Sequence, residues 1–155
     1  MRHRITKESE TWPDGWTYFG EEDVIYVILS NLENEEILIT LDVKNRNYPF
    51  LPPRVSCNNK DIIKVYMDMF SGLGAFWKDK MATLSEKQCW CCDNILCKNN
   101  WCPSNKITDI INEFKFFHGI HAYMVIEKRR NMEKMLSKII TREYLVEDIP
   151  IYDFL

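Results

Sequence analysis

The chain has 155 residues, of which 46% are hydrophobic and 28% charged, and its formal net charge is −3. This length predicts a single domain, residues 1–155, that buries enough surface to fold without cross-links. The slightly negative charge excludes the broad cationic field that draws proteins to nucleic acid or anionic lipid. No run approaches the ~20 apolar residues of a membrane span, and residues 1–10 lack the apolar stretch of a secretory signal. We therefore expect a protein of a reducing compartment, cytoplasmic or nuclear, that binds neither nucleic acid nor membrane.

The first predicted elements are a short helix and an antiparallel hairpin. Residues 4–8 favour a helix, which the turn chemistry of residues 12–15 ends. Residues 24–29 are continuously apolar and rich in β-branched side chains, which predicts a strand covered on both faces. After a turn at residues 30–34, the apolar odd-numbered positions of residues 37–43 predict a strand with one face on the core. Such a pair of strands is typical of a hairpin.

Residues 48–55 predict a stiff, extended connector. Pro49, Pro52 and Pro53 exclude a helix or a central strand there. Each proline also holds the residue before it in extended geometry, and a further strand begins at Arg54. Residues 58–88 have no clear period, so we expect an irregular insertion in which a short helix is one option.

Two helices end the chain in this prediction. Residues 103–105 offer caps for the first helix. Its apolar face consists of Ile107, Ile110, Ile111, Phe114 and Phe117. His118 and Gly119 end this helix, and a second helix occupies residues 122–140. The predicted fold class is therefore α+β, an antiparallel meander sheet with a short N-terminal helix and two C-terminal helices.

A cluster of cysteines precedes the predicted C-terminal helices. Five of the six cysteines lie within 14 residues, namely Cys89, Cys91, Cys92, Cys97 and Cys102. The pairs Cys89–Cys92 and Cys97–Cys102 supply the four thiolates of a tetrahedral zinc site, and zinc would stabilise a long loop. Alternatively, Cys91 or Cys92 is a reactive thiol. A third interpretation is that some cysteines are small buried hydrophobes. It suits Cys57, in a predicted strand, and after it Cys102, but not all five cysteines of the cluster.

Several motifs resemble those of ubiquitin-conjugating enzymes. Residues 48–55, Tyr-Pro-Phe-Leu-Pro-Pro-Arg-Val, are similar to the Tyr-Pro-Phe-x-Pro-Pro-x-Val segment of that family and likewise follow an alternating strand. Residues 92–96, Cys-Asp-Asn-Ile-Leu, are similar to Cys-x-x-Ile-Leu. Residues 101–104, Trp-Cys-Pro-Ser, are similar to Trp-Ser-Pro-Ala, and an amphipathic helix follows. Residues 4–8 resemble the start of the first helix of the family, Arg-Ile-x-Lys-Glu.

The resemblance implies a ubiquitin-conjugating-like domain with Cys92 at the position of the active-site cysteine. In the family this thiol accepts the carboxyl terminus of ubiquitin from an activating enzyme as a thioester and passes it to a lysine. The implied partners are ubiquitin or a ubiquitin-like protein and an activating enzyme or a ligase. The resemblance also implies that Tyr48, Phe50 and Trp101 are core anchors that hold the active-site loop against the sheet.

The chain departs from the family pattern around the cysteine. No His-Pro-Asn precedes Cys92, the segment between Pro53 and Cys92 is longer than in the family, and the first helix is short. Asn94, Asn99 and Asn100 are candidates to replace the missing asparagine amide.

Three functional hypotheses follow. The first is a non-catalytic module, with zinc as an optional stabilising ion, that binds ubiquitin or partners from the conjugation machinery. The second is an active conjugating enzyme with a thioester at Cys92, and the third is a small zinc-stabilised structural or assembly protein. Zinc bound by Cys89, Cys92, Cys97 and Cys102 excludes a thioester at Cys92, so the cysteines discriminate between the hypotheses.

Overall fold

A computed structural model describes residues 1–30, 34–44, 47–74, 80–81, 83–84, 87, 90 and 92–147, with side chains as far as residue 141. These residues form helix α1 (Arg2–Ser9), strands β1 (Trp16–Phe19), β2 (Val24–Ser30), β3 (Glu36–Asp42), β4 (Arg54–Cys57) and β5 (Lys60–Asp61), helix α2 (Ile62–Ser71) and helix α3 (Ile107–Glu147). The architecture is α+β, as predicted. In this part of the chain, no helix has the length and apolar composition that crossing a bilayer requires.

The strands form one antiparallel sheet in the order β1-β2-β3-β4-β5. The predicted hairpin is confirmed, because β2 and β3 pair from Val24 opposite Asp42 to Ser30 opposite Glu36. The strand predicted to begin at Arg54 is also confirmed as β4, which pairs with β3. Strand β1 had no clear sequence signal because aromatic side chains occupy both of its faces.

The prediction that β2 is covered on both faces is wrong. Ile25, Val27 and Leu29 are buried, whereas Ile28 on the opposite face is 48% exposed. The buried side chains of the sheet, α2 and the first part of α3 belong to one cluster. The core therefore lies on one face of the sheet.

Helix α2 shows that residues 62–66, which fit either a strand or a helix, are helical. The Asp61 carboxylate accepts a hydrogen bond from the Ile63 N–H at 2.9 Å and so caps the helix. Tyr66 and Phe70 are buried one helical turn apart, and their rings lie 4.9 Å and 6.3 Å from the ring of Phe117. These aromatic contacts hold α2 against α3.

Helix α3 is a single helix of 41 residues. The predicted break at His118 and Gly119, and with it the second C-terminal helix, is therefore wrong. The apolar face remains buried on both sides of this position, at Phe117 and at Met124. That burial outweighs the cost of about 1 kcal/mol for one glycine inside a helix.

Gly119→Ala should raise the free energy of unfolding by about 0.5–1 kcal/mol, because alanine favours the helix and a Cβ there meets no atom within 4 Å. Urea denaturation measures the change. Gly74→Ala is the matched control, because Gly74 has a φ of +60°. That substitution should lower the free energy of unfolding by about 1 kcal/mol. A loss of stability in Gly119→Ala would contradict the continuous helix.

Candidate functional site

The carboxylate of Glu8 on α1 joins two distant segments of the chain. One oxygen, Oε1, accepts hydrogen bonds from the Tyr48 hydroxyl at 3.1 Å and from Arg4 Nε at 2.7 Å. The other oxygen, Oε2, accepts the Ile107 N–H at 3.1 Å. The Glu8 side chain is only 10% exposed, so solvent screens these interactions little. Burial, followed by the nearby Glu8 charge, raises the pKa of Tyr48, which keeps its hydroxyl protonated as a donor.

Arg4 extends the same network to the loop that precedes α3. Its Nη1 donates to the Pro103 carbonyl, and its Nη2 donates to the Asn105 carbonyl at 2.7 Å. The guanidinium carbon also lies 5.3 Å from the centre of the Tyr48 ring, within the range of a cation–π interaction. Arg4 thus binds the Trp-Cys-Pro loop and the proline segment together.

Two carboxylates, instead of the predicted caps in residues 103–105, accept hydrogen bonds from the N-terminus of α3. Asp109 Oδ2 accepts the Lys106 N–H at 2.8 Å. Glu8 supplies the second acceptor from α1, at the Ile107 N–H. Negative charge is favourable at a helix N-terminus, so both carboxylates stabilise this end of α3.

Trp101 connects the Trp-Cys-Pro loop directly to the proline segment. Its indole Nε1 donates to the Pro49 carbonyl at 2.7 Å, and its ring centre lies 6.1 Å from that of Tyr48. Tyr48 is buried and Trp101 is partly buried against the core, as expected of anchors. The expectation that Phe50 is a core anchor is wrong, because Phe50 is 73% exposed. A turn in which the Phe50 N–H donates to the Asn47 carbonyl directs this ring outwards.

Asparagine amides hold the loop that carries Cys92. The Cys92 side chain is exposed. Asn100 Nδ2 donates to the Cys92 carbonyl at 2.6 Å and to the Asn94 carbonyl at 3.1 Å. Asn94 is fully buried, and its Nδ2 donates to the Trp90 carbonyl at 2.9 Å. Asn99 is exposed. Two of the three candidate amides therefore bind loop carbonyls.

An ion pair fixes the other side of the Cys92 loop to α3. Lys87 Nζ donates to the Asp93 carbonyl and to Glu113 Oε1, each at 2.5 Å. Glu113 Oε2 accepts the Ile95 N–H at 2.8 Å, and the Glu113 side chain is 10% exposed. The sequence does not single out Glu113 or Lys87. The one local signal for Glu113 is its acidic charge at the edge of the apolar face of α3.

The described cysteines have different environments. Cys57 is buried in β4, as predicted, and burial raises the pKa of its thiol. Cys102 is exposed, so its expected role as a buried hydrophobe is wrong. The Ser104 hydroxyl donates to Cys102 Sγ at 3.1 Å, and this bond, followed by one from the Ser104 N–H, lowers the pKa of Cys102. Cys102, within the Trp-Cys-Pro motif, is thus an exposed thiol like Cys92.

The predicted zinc site falls partly outside the described residues, because Cys89 lies there, as does the spare thiol Cys91. Cys92 and Cys102 are exposed and Cys97 is half-buried. Among the described residues, no three His, Cys, Asp or Glu side chains lie close enough together to hold a metal ion. Zinc at the four cysteines stays a prediction.

A cavity of about 810 Å³ lies between the sheet and α3, with Trp16, Ile37 and two histidines in its lining. The ring of His118 lies 4.4 Å from that of Phe114. The buried His118 Nε2 has no hydrogen-bond partner among the residues described. Burial lowers the pKa of both His118 and His121. Both imidazoles are therefore held in the neutral form.

Glu113→Gln should speed hydrogen exchange of the Ile95 amide about tenfold, because one face of the new side chain must present a donor to Lys87 or to the Ile95 N–H. Exchange followed by NMR measures this rate. Glu133→Gln is the matched control on the same helix, since Glu133 is 63% exposed where it meets Arg129. Unchanged exchange at Ile95 in Glu113→Gln would contradict the anchoring role.

Stability should fall as the pH is lowered from about 7 to about 5. The folded-state pKa of His118 and of His121 is below the unfolded value, so the unfolded chain binds the proton first. The contribution of the two histidines to the free energy of unfolding is complete above the unfolded pKa and decreases as the pH falls below it. His118→Gln should reduce this slope in urea titrations, whereas His3→Gln, at an exposed position, should leave it unchanged. An equal slope in His118→Gln and the wild type would contradict this assignment.

No family model, curated protein or solved structure matches the chain.

Proposed function

We propose that the chain is a divergent ubiquitin-conjugating-like domain that acts as a non-catalytic module, binding ubiquitin or a partner from the conjugation machinery. The family part of the proposal is supported by the 2.7 Å hydrogen bond from Trp101 to the Pro49 carbonyl. This bond brings together two of the motifs that resemble the family. Helix α1, the antiparallel meander and the helix after the Trp-Cys-Pro loop also follow the element order of that family.

The observation that favours a binding module over an enzyme is the use of the two asparagine amides. Acyl transfer needs a donor aimed at the oxyanion that develops on the acyl carbonyl. Asn100 and Asn94 donate instead to the carbonyls of Cys92, Asn94 and Trp90. The two amides therefore stabilise the conformation of the Cys92 loop.

An apolar surface beside the loop provides a contact for the partner. Phe50 is 73% exposed and Leu51 is 39% exposed, directly after the Pro49 carbonyl that Trp101 binds. Exposed aromatic side chains on an anchored backbone are typical of binding hot spots. We assign Phe50 as the centre of the partner-binding surface.

The second candidate is an active conjugating enzyme, which the exposure of Cys92 on an anchored loop favours. In that reaction the Cys92 thiolate attacks the carbonyl carbon of the ubiquitin thioester on the activating enzyme. A new thioester forms at Cys92 and the thiolate of the activating enzyme leaves. A substrate lysine amine then attacks the carbonyl, forms an amide and releases the Cys92 thiolate.

We expect labelled ubiquitin to bind the wild type in a fluorescence anisotropy titration and Phe50→Ala to weaken binding about tenfold or more. Phe19→Ala is the matched control, since Phe19 is also exposed, by 50%, but lies on β1. In a charging reaction with activating enzyme, ATP and ubiquitin, the wild type should form no adduct that a thiol reductant removes.

A reducible adduct that is lost in Cys92→Ser would reject the non-catalytic module in favour of the active conjugating enzyme. If neither binding nor an adduct is observed, the ubiquitin-binding module and the active enzyme both fail. Elemental analysis of the same samples tests the metal: one zinc per chain that Cys89→Ser releases would favour the module, because zinc at Cys92 excludes a thioester. Zinc without ubiquitin binding or charging would favour a zinc-stabilised structural protein.

A further inference from the structure

The apolar face of α3 continues past the end of the core. The core-facing side of the helix includes Phe114 and Met124, both buried. Beyond Met124 the same side continues with exposed residues at intervals of three, four and seven. These are Val125 (44% exposed), Met132 (50%), Met135 (64%), Leu136 (58%) and Ile139 (51%). We call these five side chains the α3 stripe.

A cavity of about 690 Å³ adjoins the start of the stripe. Leu73, just after α2, lines one side, and Val125 and Met132 of the stripe line the other. Lys128 and Arg129 also border the cavity. Asp68 of α2 lines the cavity as well. The cavity is thus a largely apolar recess with two cations on α3 and one carboxylate on α2.

The charge of this part of α3 is opposite to that of the whole chain. Residues 125–141 contain five Lys and Arg against two Glu, a formal net charge of +3, whereas the whole chain carries −3. The ion pair of Arg129 with Glu133 is exposed, at 79% and 63%, and such pairs contribute little. Of these cations, Lys128 and Arg129 border the cavity beside the stripe, and their charge favours an acidic partner there.

A second copy of the chain fits the stripe poorly. Five half-exposed side chains offer on the order of 500 Å² per copy, below the roughly 800 Å² per partner of a stable interface. Two copies would also bring two segments of the same positive charge together. A lipid surface is the alternative occupant, because Arg130 and Lys134 opposite an apolar stripe also suit anionic head groups. The recess between Leu73 and Met132 favours a protein helix, whose side chains can fill a shaped groove.

We propose that the α3 stripe and its adjoining cavity bind an acidic amphipathic helix of a partner protein. Apolar side chains of that helix cover the stripe and enter the cavity, and its carboxylates pair with Lys128 and Arg129. The site involves neither Cys92 nor Phe50 and is independent of the function proposed above.

Two labelled synthetic peptides test this docking site in the full chain by fluorescence anisotropy. Both carry Leu at the a and d positions of a heptad repeat, and one carries Glu at e and g where the other carries Lys. The Glu peptide should bind more tightly, and added salt should weaken its binding. Leu136→Asp and Arg129→Glu should each weaken its binding about tenfold or more. The matched control Arg130→Glu, on the opposite side of the helix, should change it less than about twofold.

Three results would overturn the proposal. The first is equal binding of the two peptides, or no binding of either. The second is a dimer in sedimentation that Leu136→Asp dissociates, which assigns the stripe to a second copy. The third is binding to phosphatidylserine vesicles that Leu136→Asp abolishes, which assigns it to a membrane. Leu136→Asp alters an exposed position, so the chain should retain its circular dichroism spectrum, its charging behaviour and its ubiquitin binding.

Discussion

A single buried carboxylate, that of Glu8, determines how the segments of this chain meet. It binds the Tyr48 hydroxyl on one side and the Ile107 N–H on the other. Without it, a buried hydroxyl and a helix N-terminus would lose their acceptor, at a cost of about 1–3 kcal/mol for each unsatisfied group. Arg4 balances the charge and adds the contacts to Pro103 and Asn105. Helix α1 therefore positions the start of α3 relative to the proline segment.

The position of α3 in turn fixes the Cys92 loop. Glu113 on α3 binds the Ile95 N–H and Lys87, while Asn100 binds the Cys92 carbonyl from the other end of the loop. An exposed thiol on a loop anchored at both ends suits either a ubiquitin thioester at Cys92 or a rigid binding surface. Both candidate functions use this scaffold. The nearby Asn100 and Asn94 amides donate to loop carbonyls, which favours the binding module.

The two proposed binding surfaces are far apart on the molecule. Phe50 lies beside Trp101, close to the start of α3, whereas the centre of the α3 stripe lies at Met132. From Ile107 to Met132 the helix axis rises about 38 Å. The helix is continuous through Gly119, so no hinge lies between the two surfaces along α3. The chain thus has room to bind two partners at once.

Local pattern alone determined the hairpin of β2 and β3, the short first helix and the apolar face of α3. In these cases the signal was periodicity or turn-forming residues, both of which are local. The proline segment, predicted to be extended from residue 48, instead begins with a turn at residues 47–50. Tertiary structure decided the rest: the helical state of α2, the continuity of α3 through Gly119 and the outward direction of Phe50. It also decided that Glu8 caps a helix 99 residues away. Such features depend on which surface a segment meets once the chain has folded, and no local pattern specifies that surface.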